Sequence, residues 1–253
     1  DGDGRLAAPV LDYEHDGPDT LVADYDAMRP EFAETGSPRL PMGLNLGAQL
    51  FWQFEAFPDI RKRTRTILTY PQYWTFLLTG KAVNEVTSLG CHTDLWCPRE
   101  NRFSSLVEKA GWAELMAPVA MAADCLGLVL QDVAEATGLG RQTPVYCGLH
   151  DSNASLYGHM LSRESPFAVV STGTWVISMA VGSDVVELDP ARDTLINVNV
   201  FSDPVPSARF MGGREFDRMM EGFSHEHDER DVAAVMERGI RDSDIVGPST
   251  KHR

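Results

Sequence analysis

Apolar residues in this chain alternate between helical spacing and short strand-like runs. Leu21 to Phe32 reads as a helix with Pro30 near its end. Leu46 to Phe57 reads as a second, because Leu50, Phe51, Phe54 and Phe57 recur at spacings near three and four. Pro58 is expected to stop it. Tyr70 to Leu78 is a third, with Pro71 in the first turn, where a missing amide hydrogen costs little, and Gly80 as C-terminal cap. Residues 103–117 are expected to form one more helix, and Asp132 to Thr137 a short one ended by Gly138. Strands are expected at the AAPVLDY run within residues 1–14, at Thr66–Thr69, and at the apolar run ending near Cys147. Further strands are expected in PFAVV, VISMAVG, Leu195–Phe201 and Ser207–Met211. Residues 36–43 and 118–130 read as irregular, Gly212-Gly213 as a turn, and Glu215–Met220 as the start of a last helix.

Charge narrows the partners. With 37 acidic against 22 basic residues, the formal net charge is −15. Nucleic acid and anionic membranes need clustered cations, so neither is the expected main partner. A nucleotide is still allowed, because backbone amides and a metal ion handle its charge locally. The cluster Arg61-Lys62-Arg63-Thr64-Arg65 reads as a solvated helix end rather than a phosphate site. No apolar run is long enough to span a bilayer, and no signal segment opens the chain. The four cysteines, Cys91, Cys97, Cys125 and Cys147, lack CxxC spacing and read as reduced thiols, so a cytoplasmic location is expected. No metal-ligand set is expected at Cys91-His92 or at HEHDERD (225–231), the latter reading as a charged loop.

The chemistry concentrates between Tyr146 and Trp175, in YCGLHDSNASLYGHMLSRESPFAVVSTGTW. One apolar run delivers a Gly-Leu-His-Asp turn and then a small-residue helix start. The next delivers Ser-Thr-Gly-Thr-Trp. Asp151 is the candidate catalytic base: a sugar or other alcohol is a poor nucleophile, and a positioned carboxylate accepts its proton. Local sequence equally allows Asp151 as a helix N-cap. Thr172, Gly173 and Thr174 form a candidate phosphate turn, in which glycine admits close backbone approach and the hydroxyls add donors. His150 and Asn153, on the same turn as Asp151, are candidate substrate contacts.

These motifs resemble the FGGY family of carbohydrate kinases, in which a Gly-x-x-Asp turn carries the base and a following Gly-Thr turn contacts the ATP phosphates. His150-Asp151-Ser152-x-Ala154 with Ser171-x-Gly173-Thr174-Trp175 is similar to the rhamnulokinase-like branch. YPQYWTFLLTGKAVNEVTSLGCHTDLWC is similar to a block that packs beneath the sugar site in that family, so Tyr73, Trp74 and Phe76 are expected in the core. PVLDYEHDG is similar to an element near the sugar pocket, which makes Asp12 and Glu14 candidate sugar contacts, with Asn45 and Gln49 weaker ones.

The resemblance implies an α/β, actin-like or ribonuclease H-like ATPase fold of two domains around a cleft. Residues 1–160 would be the remainder of the sugar-binding domain and 161–253 the start of the nucleotide-binding domain. It implies ATP and Mg2+, and a ketose or deoxyketose substrate of the rhamnulose, fuculose or pentulose type. The family's Asp-x-Gly-Thr phosphate loop and Gly-rich adenosine site have no counterpart in these residues, so an internal portion of a longer kinase is expected. A catalytically incomplete, folded binding module is the alternative. Self-association into a homodimer is allowed but not required by the apolar pattern.

Overall fold

The computed structural model describes residues 1–173, 175–183 and 187–220. The first 21 residues form turns and a 3-10 segment, Gly17–Leu21, and no strand. The AAPVLDY run has no partner strand, and Pro9 removes a backbone donor from it. Helices α1 (Val22–Met28) and α2 (Phe32–Thr35) replace the single expected helix, because Pro30 breaks it. Helix α3 spans Leu46–Ala56. Pro58 does not simply stop the chain there. It sits in the first turn of a new helix, α4 (Pro58–Arg63), which takes in most of the basic cluster.

A first core joins these elements: Tyr25, Phe51, Phe54, Ile67, Leu95, Leu106 and Trp112. Phe54 meets Trp112 edge-on, with ring centroids 5.8 Å apart. At its centre, Tyr25 and Arg29 converge on buried Asp94: the phenol donates to Oδ2 at 2.7 Å and Arg29 Nη2 donates to Oδ1 at 3.0 Å. Phe57, expected on the buried face of α3, lies beyond the helix end and is exposed.

Helix α5 (Tyr70–Thr79) starts and ends as expected, with Gly80 in the left-handed region at φ 70°. Its orientation is the reverse of the expected one. Gln72, Thr75 and Thr79 are buried, while Tyr70 and Trp74 are 57% and 53% exposed, and Tyr73 and Phe76 are only half-buried. Thr66–Thr69 forms no strand; Ile67 makes a single bridge to Met116. Strand β1 (Asn84–Glu85) and helix α6 (Val86–Leu89) follow, then the hairpin β2 (Trp96–Cys97) with β3 (Arg102–Phe103). The expected helix over 103–117 is reduced to α7 (Ser105–Lys109) and a 3-10 turn, Ala113–Leu115, because Gly111 takes φ 65° and ends α7. The stretch read as irregular holds β4 (Val119–Ala120), parallel to β1, and β5 (Cys125–Leu128).

After α8 (Gln131–Thr137) and its left-handed cap Gly138, β6 (Pro144–Tyr146) pairs with β5 and hands the chain to α9 (Asp151–Ser162). The rest is one antiparallel sheet of β7 (Phe167–Ser171), β8 (Val176–Val181), β9 (Thr194–Val198) and β10 (Pro204–Phe210), in the order β7-β8-β10-β9. Helix α9 covers one face, where Leu156, Met179, Val181 and Val205 form a separate core. Helix α10 (Gly212–Met220) takes in the two glycines expected to turn. A third cluster, Val86, Leu89, Trp96 and Val198, ties α6 to β9 and so joins the helical part to the sheet.

Candidate active site

The candidate site lies where α9 begins, and two fixed segments put it there. Ahead of Asp151, the Cys147 carbonyl accepts from Gln72 Nε2 at 3.3 Å and from Thr75 Oγ1 at 3.1 Å. This explains why α5 turns its polar side inward: a buried carbonyl left without donors costs more than exposing aromatic surface. The His150 amide then donates to Thr87 Oγ1 at 2.9 Å. Thr87 Oγ1 in turn donates to Glu85 Oε2 at 2.6 Å. Glu85 is fully buried and caps α6 by accepting from the Ser88 amide. The Asp151 turn therefore hangs from a buried carboxylate through one hydroxyl.

Asp151 is the first residue of α9 and is not its N-cap; His150 holds that position with extended backbone. The Asp151 side chain is 91% exposed. Its Oδ1 accepts from the Ser152 amide at 2.6 Å and lies 3.1 Å from His150 Nδ1, without hydrogen-bond alignment. Among the described residues no donor engages Oδ2. The first turn of a helix favours a negative charge there. His150 is largely covered, and the Cys91 thiolate beside it holds its pKa up against burial. Burial pushes the Cys91 thiol up, but the imidazoles of His92 and His150 outweigh it and hold the thiol well below the usual range.

The candidate phosphate turn is separated from Asp151 by one helix and one strand of matched length. Twelve residues of α9 advance about 18 Å. The chain then reverses, and five residues of β7 return about 17 Å along the helix. The Thr172–Gly173 turn follows Ser171 at the end of β7. Thr172 and Gly173 are exposed. A Cβ at Gly173 would meet nothing nearer than the Trp175 carbonyl oxygen at 3.7 Å, so the protein's own packing does not demand glycine there. Thr174 lies outside the described residues.

The remaining candidates separate. Asn153 is on α9 and buried, two residues from Asp151. Asp12 Oδ1 accepts from the Glu14 amide at 2.8 Å in a local turn. Glu14 itself pairs with Arg214 of α10, both half-exposed. No described hydrogen bond links either acid to the Asp151 turn. Asn45 is 0% exposed and binds Leu40 N, Ser37 Oγ, Pro38 O and His92 O, so it is a structural residue and no sugar contact. Gln49 is tied to the Gly43 carbonyl. A hollow of about 370 Å³ lined by Met160, Arg163, Phe167 and Phe201 lies at the far end of α9 and is not this site. The sequence reading held Thr87 only within the block similar to one beneath the family's sugar site and gave it no role of its own; its bond to the His150 amide shows how it positions the Asp151 turn.

Residues 164–253 match the C-terminal domain of the carbohydrate kinase FGGY family. A carbohydrate kinase from Novosphingobium aromaticivorans is 45% identical and superposes with a TM-score of 0.82 over 94% of this chain and 54% of that one. The rhamnulokinase of Ligilactobacillus salivarius is 30% identical over 128 residues, 50% of this chain and 26% of that protein. An autoinducer-2 kinase of Escherichia coli is 26% identical over 168 residues, 65% of this chain and 30% of that protein. The chain thus spans about half of the structural relative and about a quarter to a third of the curated ones. Its fold is the actin-like α/β architecture of those kinases. On sequence and fold together, residues 164–253 match the C-terminal domain of the FGGY carbohydrate kinases, and the chain is similar to a carbohydrate kinase along most of its length.

Proposed function

We propose that the whole protein transfers the terminal phosphoryl group of ATP to a hydroxyl of a ketose or deoxyketose, of the rhamnulose, fuculose or pentulose type. The observation that supports this reading is a carboxylate oxygen on exposed Asp151 at the start of α9, followed one strand later by the open turn at Thr172–Gly173. In this reading the sugar hydroxyl gives its proton to Asp151 as its oxygen bonds to the terminal phosphorus. The bond from that phosphorus to the bridging oxygen breaks, and ADP leaves. Thr172, Gly173 and Thr174 hold phosphate oxygens. His150 and Asn153 face the sugar, with Asp12 and Glu14 further out. Magnesium arrives with the nucleotide and neutralises phosphate charge.

Residues 1–160 are proposed as sugar-binding domain and 161–253 as nucleotide-binding domain, although α9 shares its core with the sheet across that line. A cytoplasmic location accompanies this reading. Among the described residues no helix is long and apolar enough to cross a membrane.

The test is ADP release by the whole protein with magnesium ATP and a panel of ketoses, deoxyketoses and polyols. One preferred sugar is expected, and Asp151→Asn should lower kcat on it by about 100-fold or more while nucleotide affinity holds. Near-normal turnover of Asp151→Asn removes it from the base role.

A further inference from the structure

Strand β10 carries a cation whose position is not explained by folding. Val205, Ser207 and Arg209 are buried at alternate positions and so share one face of the sheet, the face that α9 covers. Arg209 pairs in register with Ile177, and Ile177 pairs with Ser171. Ser171, Ile177 and Arg209 therefore form one row across the sheet, at the end from which the Thr172–Gly173 turn emerges. Arg209 is only 8% exposed. Its guanidinium lies over the Trp175 ring, 5.0 Å from the centroid. Among the described residues its buried Nε has no hydrogen-bond partner and no carboxylate pairs with the guanidinium.

A buried guanidinium whose Nε–H lacks an acceptor is a costly arrangement, and stacking on one ring offsets it only in part. Burial pushes the group below its ordinary range, against the pull of Asp193 and Cys91. The planar fork of arginine, pre-organised by stacking, suits a tetrahedral oxyanion.

We propose that Arg209 is a phosphate-binding residue of this site, holding an oxygen of the phosphoryl group in transfer, on the nucleotide before reaction and on the sugar afterwards. The inference rests on the kinase reading above. Arg209 then neutralises charge where phosphoryl oxygens gather, and Trp175 fixes its plane.

The experiment compares the whole protein with Arg209→Gln and Arg209→Lys by calorimetry, titrating MgADP, a magnesium complex of a non-hydrolysable ATP analogue, and pyrophosphate. Arg209→Gln should weaken the ATP analogue by about 10–100-fold, the worth of one charged hydrogen bond, and leave MgADP within about threefold. Turnover should fall at least as far. Equal affinities, or equal losses for the analogue and MgADP, would overturn the proposal and leave Arg209 a packing residue. Should the Gln variant not fold, the Lys variant decides: a selective loss of about threefold or more for the analogue supports the assignment, and none overturns it. Should the wild-type protein bind neither nucleotide, the kinase reading fails by itself. Pyrophosphate bound by wild type and lost in the variant would then still support Arg209 as a phosphate site, and no pyrophosphate binding would overturn it.

Discussion

Glu85 shows how a single buried carboxylate organises the site. One oxygen serves the Thr87 hydroxyl and the Ser88 amide, while buried Oε1 has no partner among the described residues. Burial raises its pKa, and the hydrogen bonds from Thr87 and Ser88 only partly offset this. The sign follows by linkage. A carboxyl whose folded pKa is raised stabilises the fold fully below its unfolded value and loses that contribution as pH rises through the folded one. Glutamine cannot ionise, and it places an amide where Oε1 lacks a partner. Glu85→Gln should therefore gain stability relative to wild type as pH goes from 4 to 8, read as the difference in Tm at each pH. A difference that stays flat, or shrinks, would mean that the hydrogen bonds outweigh burial. The sequence offered Glu85 only as one letter of a family block, since nothing local announces a residue as fully buried.

At the scale of elements, α5 marks the limit of periodicity. Its boundaries were legible because Pro71 and Gly80 act through their own backbone chemistry. Which side faces inward was not, because that depends on a carbonyl 72 residues away: Thr75 and Gln72 are needed by Cys147. Hydrophobic ranking therefore placed Trp74 in the core, and hydrogen-bond demand placed it outside. The strand–turn–helix and strand–turn–strand units around Asp151 and Gly173 were legible for the opposite reason, since each is built from neighbouring residues. Contrast α3, where Phe54 is buried against Trp112. Phe54→Ala should cost about 3–5 kcal/mol in urea unfolding, and Trp74→Ala about 0.5 kcal/mol or less. A loss at Trp74 comparable to that at Phe54 would show that this face is covered by chain beyond the described residues.

On the scale of the whole molecule, the seam between α6 and β9 sets how the Asp151 turn meets the sheet. Thr87, which holds the His150 amide, is in α6, and Gly90 follows it directly. A Cβ on Gly90 would fall 2.3 Å from Val198 Cγ2 and 2.7 Å from Val198 Cβ, closer than atoms can approach. Val198 is fully buried between Val86, Leu89 and Trp96, so it has nowhere to retreat. The backbone of Gly90 is not left-handed, at φ −80°, so the demand for glycine is wholly steric. Gly90→Ala should therefore destabilise by about 1–3 kcal/mol, as overpacking does. Val198→Ala alone should cost a similar amount by leaving a void, about 1–3 kcal/mol. Together they should cost less than their sum by about 0.5 kcal/mol or more, because the new methyl enters the space that the old ones left. Activity should follow the same cycle, since forcing the seam apart moves α6, and with it the Asp151 turn, away from the Thr172–Gly173 turn. If stability and kcat instead combine additively, Gly90 and Val198 do not press on each other, and the seam does not set the geometry of the site.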